Sequence, residues 1–169
     1  GLQRLVENLL YWGREQADNL FISQEEIPVR RIAEHVIYDF NSSLEMKNIT
    51  LINNIPQEEE IFMDMNILKL VLRNLIANAI KFSHKEGVIT LASTEKGICV
   101  SDNGVGIPED KLNQLFDLKD GKSTKGTNGE EGTGLGLWLC QQILKKCSAK
   151  ISVTSELDKG TTFFIDFEE

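Results

Sequence analysis

The stretch Asn74-Leu75-Ile76-Ala77-Asn78-Ala79-Ile80-Lys81-Phe82-Ser83 decides the reading of this chain. Together with the residues before it, it places Leu68, Val71, Leu72, Leu75, Ala79 and Phe82 on one apolar helical face. The spacing predicts a helix from about Met65 to Ser83, with Asp64 as its N-cap. Asn74, Asn78 and Lys81 recur at i, i+4 and i+7, a polar stripe beside the apolar one. A solvated helix face is one reading of that stripe. Against it, Ile76, Ala77, Ile80 and Phe82 leave few faces wet, and asparagine is a mediocre helix former. The other reading is a ligand site, because an amide oxygen is a hard neutral ligand suited to Mg²⁺ and Lys81 can meet a phosphate. The stripe by itself leaves both open.

Outward from this helix, Ile22–Ile27 reads as a short strand, and Pro28 suits the first turn of a helix running to about Met46. Ile49–Ile55 and Glu60–Met63 read as two strands around a Pro56 turn. Gly87–Thr94 and Gly97–Ser101 read as a strand pair turning at Glu95-Lys96. A short helix follows Pro108, and a second long helix runs from about Thr133 to Cys147. Lys150–Ser155 and Thr161–Phe167 alternate as two final strands joined by Asp158-Lys159-Gly160. This order predicts an α/β sandwich with one mixed sheet. Before it all, Leu2, Leu5, Leu9 and Trp12 form one apolar stripe of a helix ending near Asn19, whose packing partner is expected outside the chain.

Composition narrows the class. The 169 residues suffice for a core, and 18 basic against 26 acidic residues give a net charge of −8. That balance disfavours a nucleic-acid surface, though helix N-termini, a metal and a few lysines can still reverse the potential locally. Cys99, Cys140 and Cys147 lack a close C-x-x-C pair and read as reduced, mostly buried small hydrophobes. No apolar run approaches the ~20 residues of a membrane span, and no signal peptide is present, so a cytoplasmic location is expected. A membrane anchor could belong to a longer parent.

Two further motifs follow strands or open helices. Asp102-Asn103-Gly104-Val105-Gly106-Ile107 follows directly on a strand. An ordinary Asp-Asn-Gly turn is one reading. An adenine pocket is the other: a carboxylate accepts from the exocyclic amine, whereas guanine presents a carbonyl there. Gly132-Thr133-Gly134-Leu135-Gly136-Leu137 opens a helix, where free N–H groups make an anion site. It is not a dinucleotide fingerprint, because residue 137 is Leu and the motif follows a loop. That loop, from about Asp117 to Gly132, has four glycines, three lysines and almost no apolar residue.

In order and spacing, N-L-I-A-N-A-I-K-F-S, D-N-G-V-G-I, L-F-D-L, G-T-G-L-G-L and G-T-T-F resemble the ATP-binding domain of sensor histidine kinases, in the Bergerat-fold superfamily, over roughly residues 27–168. The resemblance implies a two-layer sandwich, a mixed sheet covered on one face by helices. It divides the chain into residues 1–21, the end of a dimerisation helix, and 22–169, the catalytic domain. It implies ATP and Mg²⁺ as ligands, with Asn78 on the metal and Asn74 and Lys81 on the phosphates or the metal's waters. Asp102, assisted by Thr161, would bind adenine. Gly104, Gly106, Ile107, Leu115 and Phe116 would shape the pocket, and residues 117–132 would form a lid, with Lys122 and Lys125 as γ-phosphate candidates. Gly132, Thr133, Gly134, Leu135 and Gly136 would supply the hinge and backbone donors. Implied partners are the phosphoacceptor helix of a homodimeric parent and a response regulator, with no nucleic acid.

Two departures from the superfamily pattern matter. Hydrolytic members carry a glutamate four residues before the metal-binding asparagine; here that position is Asn74, a poor general base, so slow hydrolysis is expected. Only His35 and His84 occur, and neither fits the acceptor: His35 reads as structural, and His84 lies near the phosphate end. The rivals are a serine-directed anti-sigma kinase, a gyrase-like ATPase and a regulatory module that has lost ATP.

Overall fold

Asp64 starts the central helix as its sequence predicts. Its carboxylate accepts from the backbone N–H groups of Asn66 at 2.8 Å and Ile67 at 3.2 Å, two of the donors a helix start leaves orphaned. The other carboxylate oxygen takes the Ser23 N–H at 2.8 Å, tying the helix start to the chain's entry into the domain. A computed structural model of the chain describes residues 22–117, 126–127 and 136–167. Its elements are β1 (Glu25–Pro28), α1 (Val29–Tyr38), α2 (Asn41–Met46), β2 (Thr50–Asn53), β3 (Glu60–Met63), α3 (Met65–Phe82), β4 (Val88–Ser93), β5 (Gly97–Asp102), α4 (Glu109–Leu112), α5 (Gly136–Lys146), β6 (Ala149–Glu156) and β7 (Gly160–Phe167). The predicted helix over residues 2–19, and with it the proposed division at 21/22, lies outside the described residues.

The main sheet has the order β2-β4-β5-β7-β6, with β2 parallel to β4 and every other pair antiparallel. Its inward residues, among them Ile89, Leu91, Ile98, Val100, Phe163 and Ile165, are buried in one core with the apolar faces of α1, α3 and α5. The opposite face is mixed: Ser101 Oγ and Thr162 Oγ1 lie 2.8 Å apart, Lys150, Ser152 and Thr154 are exposed, and Cys99, Phe164 and Ile52 stand on the same side. The expected α/β sandwich with a mixed sheet under helices is therefore present. Among the described residues, no helix is long and apolar enough to cross a membrane.

Two expectations need correction. The single sheet is two, because β3 pairs with β1 antiparallel (Ile27 opposite Ile61) instead of joining the large sheet. The two strands expected around Pro56 are both present, in different sheets, with β2 pairing with β4 some forty residues on. The helix expected from Pro28 to Met46 breaks at Asp39-Phe40. There the N–H groups of Asp39 and Phe40 close onto Val36 and Ile37, three residues back, a tightened last turn. The cap-type residues Asp39, Asn41, Ser42 and Ser43 around the break compete with helical hydrogen bonding.

Candidate functional site

The site forms where the C-terminal half of α3 meets the ends of β5, β7 and α5. Strand alternation decides what faces inward. Ile98 and Val100 on β5 are buried, so Asp102 shares their face and turns toward the helices; Thr161, its register partner on β7, is buried on the same side.

The loop after β5 is fastened to the end of α3. Asp102 Oδ1 accepts the Gly104 N–H at 2.9 Å, and the Val105 N–H donates to the Phe82 carbonyl at 3.0 Å. A Cβ at Gly104 would collide with that same Phe82 carbonyl, so only glycine allows the approach. Gly106 has φ +74°, and a Cβ there would strike the Glu156 carbonyl of the β6–β7 hairpin. Burial raises the Asp102 carboxyl above its ordinary 3.8, opposed by the backbone N–H groups of Gly104 and Thr161, which lower it. Asn78 lies one helical turn before Phe82, on the element that carries this loop.

The polar stripe of α3 is not a solvated face. Asn74 is 3% exposed and Lys81 7%, while Asn78 is half-buried. Asn74 Nδ2 donates to the Leu70 carbonyl at 2.9 Å, within its own helix. A Cβ at Gly136 would collide with Asn74 Oδ1, so the start of α5 sits directly on this asparagine. Lys81 Nζ lies 5.0 Å from the centroid of the Phe82 ring.

A cavity of about 260 Å³ is lined by Phe82, Val105, Gly106, Ile107, Leu115 and Thr127, with Pro108, Lys111 and Gly126. A larger groove of about 550 Å³ lies between α1 and α3, lined by charged side chains with His35, and holds none of the motif residues. The smaller cavity is the one adjoining the motif loop, and size does not outweigh that. Leu115 lines it, and both Leu115 and Phe116 pack, half-buried, against the core. Gly132, Thr133, Gly134, Leu135 and the lid candidates Lys122 and Lys125 lie outside the described residues. His35 and His84 are both exposed, so His35 is no core residue.

Two residues outside the sequence motifs brace the elements around the cavity. Ser155 Oγ accepts the Ile107 N–H at 2.8 Å, donates to the Gly160 carbonyl at 3.0 Å and lies 2.8 Å from Thr161 Oγ1, joining the glycine loop to the start of β7. Lys47, 3% exposed, reaches the end of α3. Neither belongs to a local motif; a serine in an alternating strand and a lysine at a helix end both read as solvated.

Comparison with known proteins identifies the family. Residues 63–169 match the family described as "Histidine kinase-, DNA gyrase B-, and HSP90-like ATPase". The chain is 31% identical, over 96% of its length, to the adaptive-response sensory kinase SasA of Crocosphaera subtropica, and 31% identical, over 97%, to the sensor protein SrrB of Staphylococcus aureus. It spans 44% and 29% of those proteins. The nucleotide-free catalytic domain of histidine kinase ThkA superposes with a TM-score of 0.72 at 25% identity, covering 86% of this chain and 95% of that one. The fold is shared with Acinetobacter baumannii histidine kinase AdeS, at a TM-score of 0.76 and 22% identity over 99% of this chain and 79% of that one. A glycine loop seated on an asparagine-bearing helix, matched through the family's region, leads to one assignment: the chain belongs to the histidine kinase-, DNA gyrase B- and HSP90-like ATPases, as a catalytic domain of the histidine kinase type.

Proposed function

We propose that this domain holds Mg·ATP between α3 and the loop after β5, and passes the γ-phosphoryl group to a histidine on a dimerisation helix of its parent. One observation carries the reading: Gly104 and Val105 seat the Asp102 loop against the Phe82 carbonyl, one turn from Asn78. An adenine-reading carboxylate and a phosphate-end amide are thereby built onto a single joint. Asp102 accepts from the adenine amine, with Thr161 beside it. Gly104, Gly106, Ile107 and Leu115 leave room for the base. Lys81 and Asn74 serve the phosphates or the metal's waters, together with backbone donors at the start of α5.

The donor set suits magnesium. Among the described residues, no three His, Cys, Asp or Glu side chains converge. The Asn78 amide oxygen would hold the ion, with water and phosphate oxygens as the remaining hard ligands. Bound there, Mg²⁺ supplies neutralisation of the charge that develops on the phosphates. The residues of the chain position the nucleotide and exclude water; the acceptor imidazole is that of the parent's dimerisation helix, since His35 is followed by Val36 and His84 by Lys85, not by the acidic residue that accompanies an acceptor. With Asn74 in place of a glutamate, no general base stands four residues before Asn78, which favours transfer over hydrolysis. In the parent, the phosphohistidine would hand its phosphoryl group to an aspartate of a response regulator, and the domain would work in the cytoplasm.

The test is phosphotransfer to a separately supplied acceptor-helix fragment. Asn78→Ala abolishes Mg-dependent transfer while circular dichroism stays native. Full activity in that variant refutes the metal assignment.

A further inference from the structure

Lys47 is a buried cation that the ATP reading leaves unused. It ends α2 as the C-cap of a Schellman turn. Asn48 takes φ 52°, its N–H donates to Glu45 at 3.0 Å, and the Ile49 N–H donates to Leu44 at 2.9 Å. The Lys47 carbonyl accepts the Glu86 N–H at 2.8 Å. With the backbone so fixed, the side chain runs inward and is 3% exposed.

Its ammonium donates to the carbonyls of Ile80 at 2.8 Å, Lys81 at 3.1 Å and Ser83 at 3.2 Å, and to Thr127 Oγ1 at 2.7 Å. The carbonyls lie at the C-terminal end of α3, where a helix leaves acceptors unsatisfied and carries partial negative charge. Three carbonyls would already satisfy the three hydrogens of an ammonium. Instead at least four acceptors share them, and the shortest of these contacts among the described residues goes to Thr127. Thr127 returns the grip: its hydroxyl donates to Ser83 at 2.7 Å and its N–H to Lys81 at 3.0 Å. Thr127 is itself exposed and lines the 260 Å³ cavity beside Phe82 and Gly106.

We propose that Lys47 is a positioning residue for nucleotide binding, a buried ammonium that locks Thr127 and the Lys81 backbone into one unit and so sets the cavity wall before ATP arrives. The inference rests on the ATP reading above. A helix cap alone would not need the bond to Thr127, whereas a preformed wall does. Preforming it removes an ordering cost from binding.

The test uses the 169-residue chain, with two readouts. Amide hydrogen exchange at Thr127 is measured without nucleotide, and ATP affinity with Mg²⁺ is measured by displacement of a fluorescent analogue. Because Lys47→Met risks the fold, the exposed Thr127→Val is the primary variant. It raises the ATP Kd about 3- to 10-fold, the worth of one hydrogen bond, with an unchanged melting temperature. Thr127→Ser restores the wild-type Kd. Lys47→Met speeds Thr127 amide exchange, and in the double variant the Kd rises no further than in the worse single one. Thr127→Val binding ATP as tightly as wild type, or more tightly, overturns the inference. So does slow Thr127 exchange in a folded Lys47→Met. If the wild type itself fails to bind ATP, it is the underlying ATP reading that falls.

Discussion

Asp102→Asn separates a base-reading carboxylate from a merely structural one. The two side chains have the same shape, so packing is kept. In the native site, Oδ1 accepts the Gly104 N–H at 2.9 Å and the Thr161 N–H also meets the carboxylate, whose remaining lone pairs can take the ligand. An asparagine must keep its oxygen on that N–H, which turns its NH₂ group toward the base. The adenine amine then meets a donor in place of an acceptor. The loss is one hydrogen bond to a charged group, about 2–3 kcal/mol, or roughly 30- to 150-fold in ATP affinity. Guanine presents a carbonyl at that place, so GTP affinity should hold or improve. Equilibrium titration of both nucleotides against both proteins measures the ratio directly. The pH dependence gives a second check. Burial lifts the Asp102 carboxyl above its ordinary 3.8, so wild-type affinity should decline from above that pH as the acceptor protonates, whereas the Asn variant should lack this component. Because the folded value lies above the unfolded one, this carboxyl alone makes the fold relatively more stable as pH falls through that window. Weaker ATP binding there is therefore not unfolding caused by Asp102. Equal, small losses for ATP and GTP would refute the adenine assignment.

Other consequences follow from the same contacts. Gly106→Ala combines a left-handed backbone with a collision against the Glu156 carbonyl; it should cost about 2–4 kcal/mol and lower the melting temperature by roughly 5–15 °C, read by calorimetry. Thiol alkylation at pH 8 should label Cys99 first: Cys140 is buried, and Cys147 is pushed up to about 11 by burial and then by the Asp64 charge. Ser155→Ala should raise the ATP KM more than it alters kcat, because it removes the link between Ile107 and Thr161 and touches no phosphate-end residue.

Legibility in the sequence tracked how local each cause was. Asp64 and the apolar face of α3 were readable because cap and period are neighbours in the chain. The Asp158–Gly160 turn was readable for the same reason, and Asp158 does take φ 64°. The break at Asp39-Phe40 carried a signal in its Asp, Asn and Ser residues, but no glycine or proline marked it. Strand partners were beyond reach: alternation in Thr50–Asn53 fits any neighbour, and its parallel match to Val88–Leu91 is settled by tertiary packing. In the site, Asn74 stood out as a poor helix former in mid-helix, Lys81 by its spacing on the same stripe, and Asp102 as a carboxylate at a strand end before two glycines. Lys47 and Ser155 did not, because their roles come from carbonyls and hydroxyls that only folding delivers.

The central claim is that the stripe on α3 and the loop after β5 serve one nucleotide. Titrating the isotopically labelled chain with Mg·AMPPNP, and following the Asn78 side-chain amide alongside the backbone amides of residues 103–107, tests it most directly. The account predicts that both sets of signals move together, saturate at one equivalent and fit a single Kd. Movement of one set alone, or two distinct affinities, would contradict it.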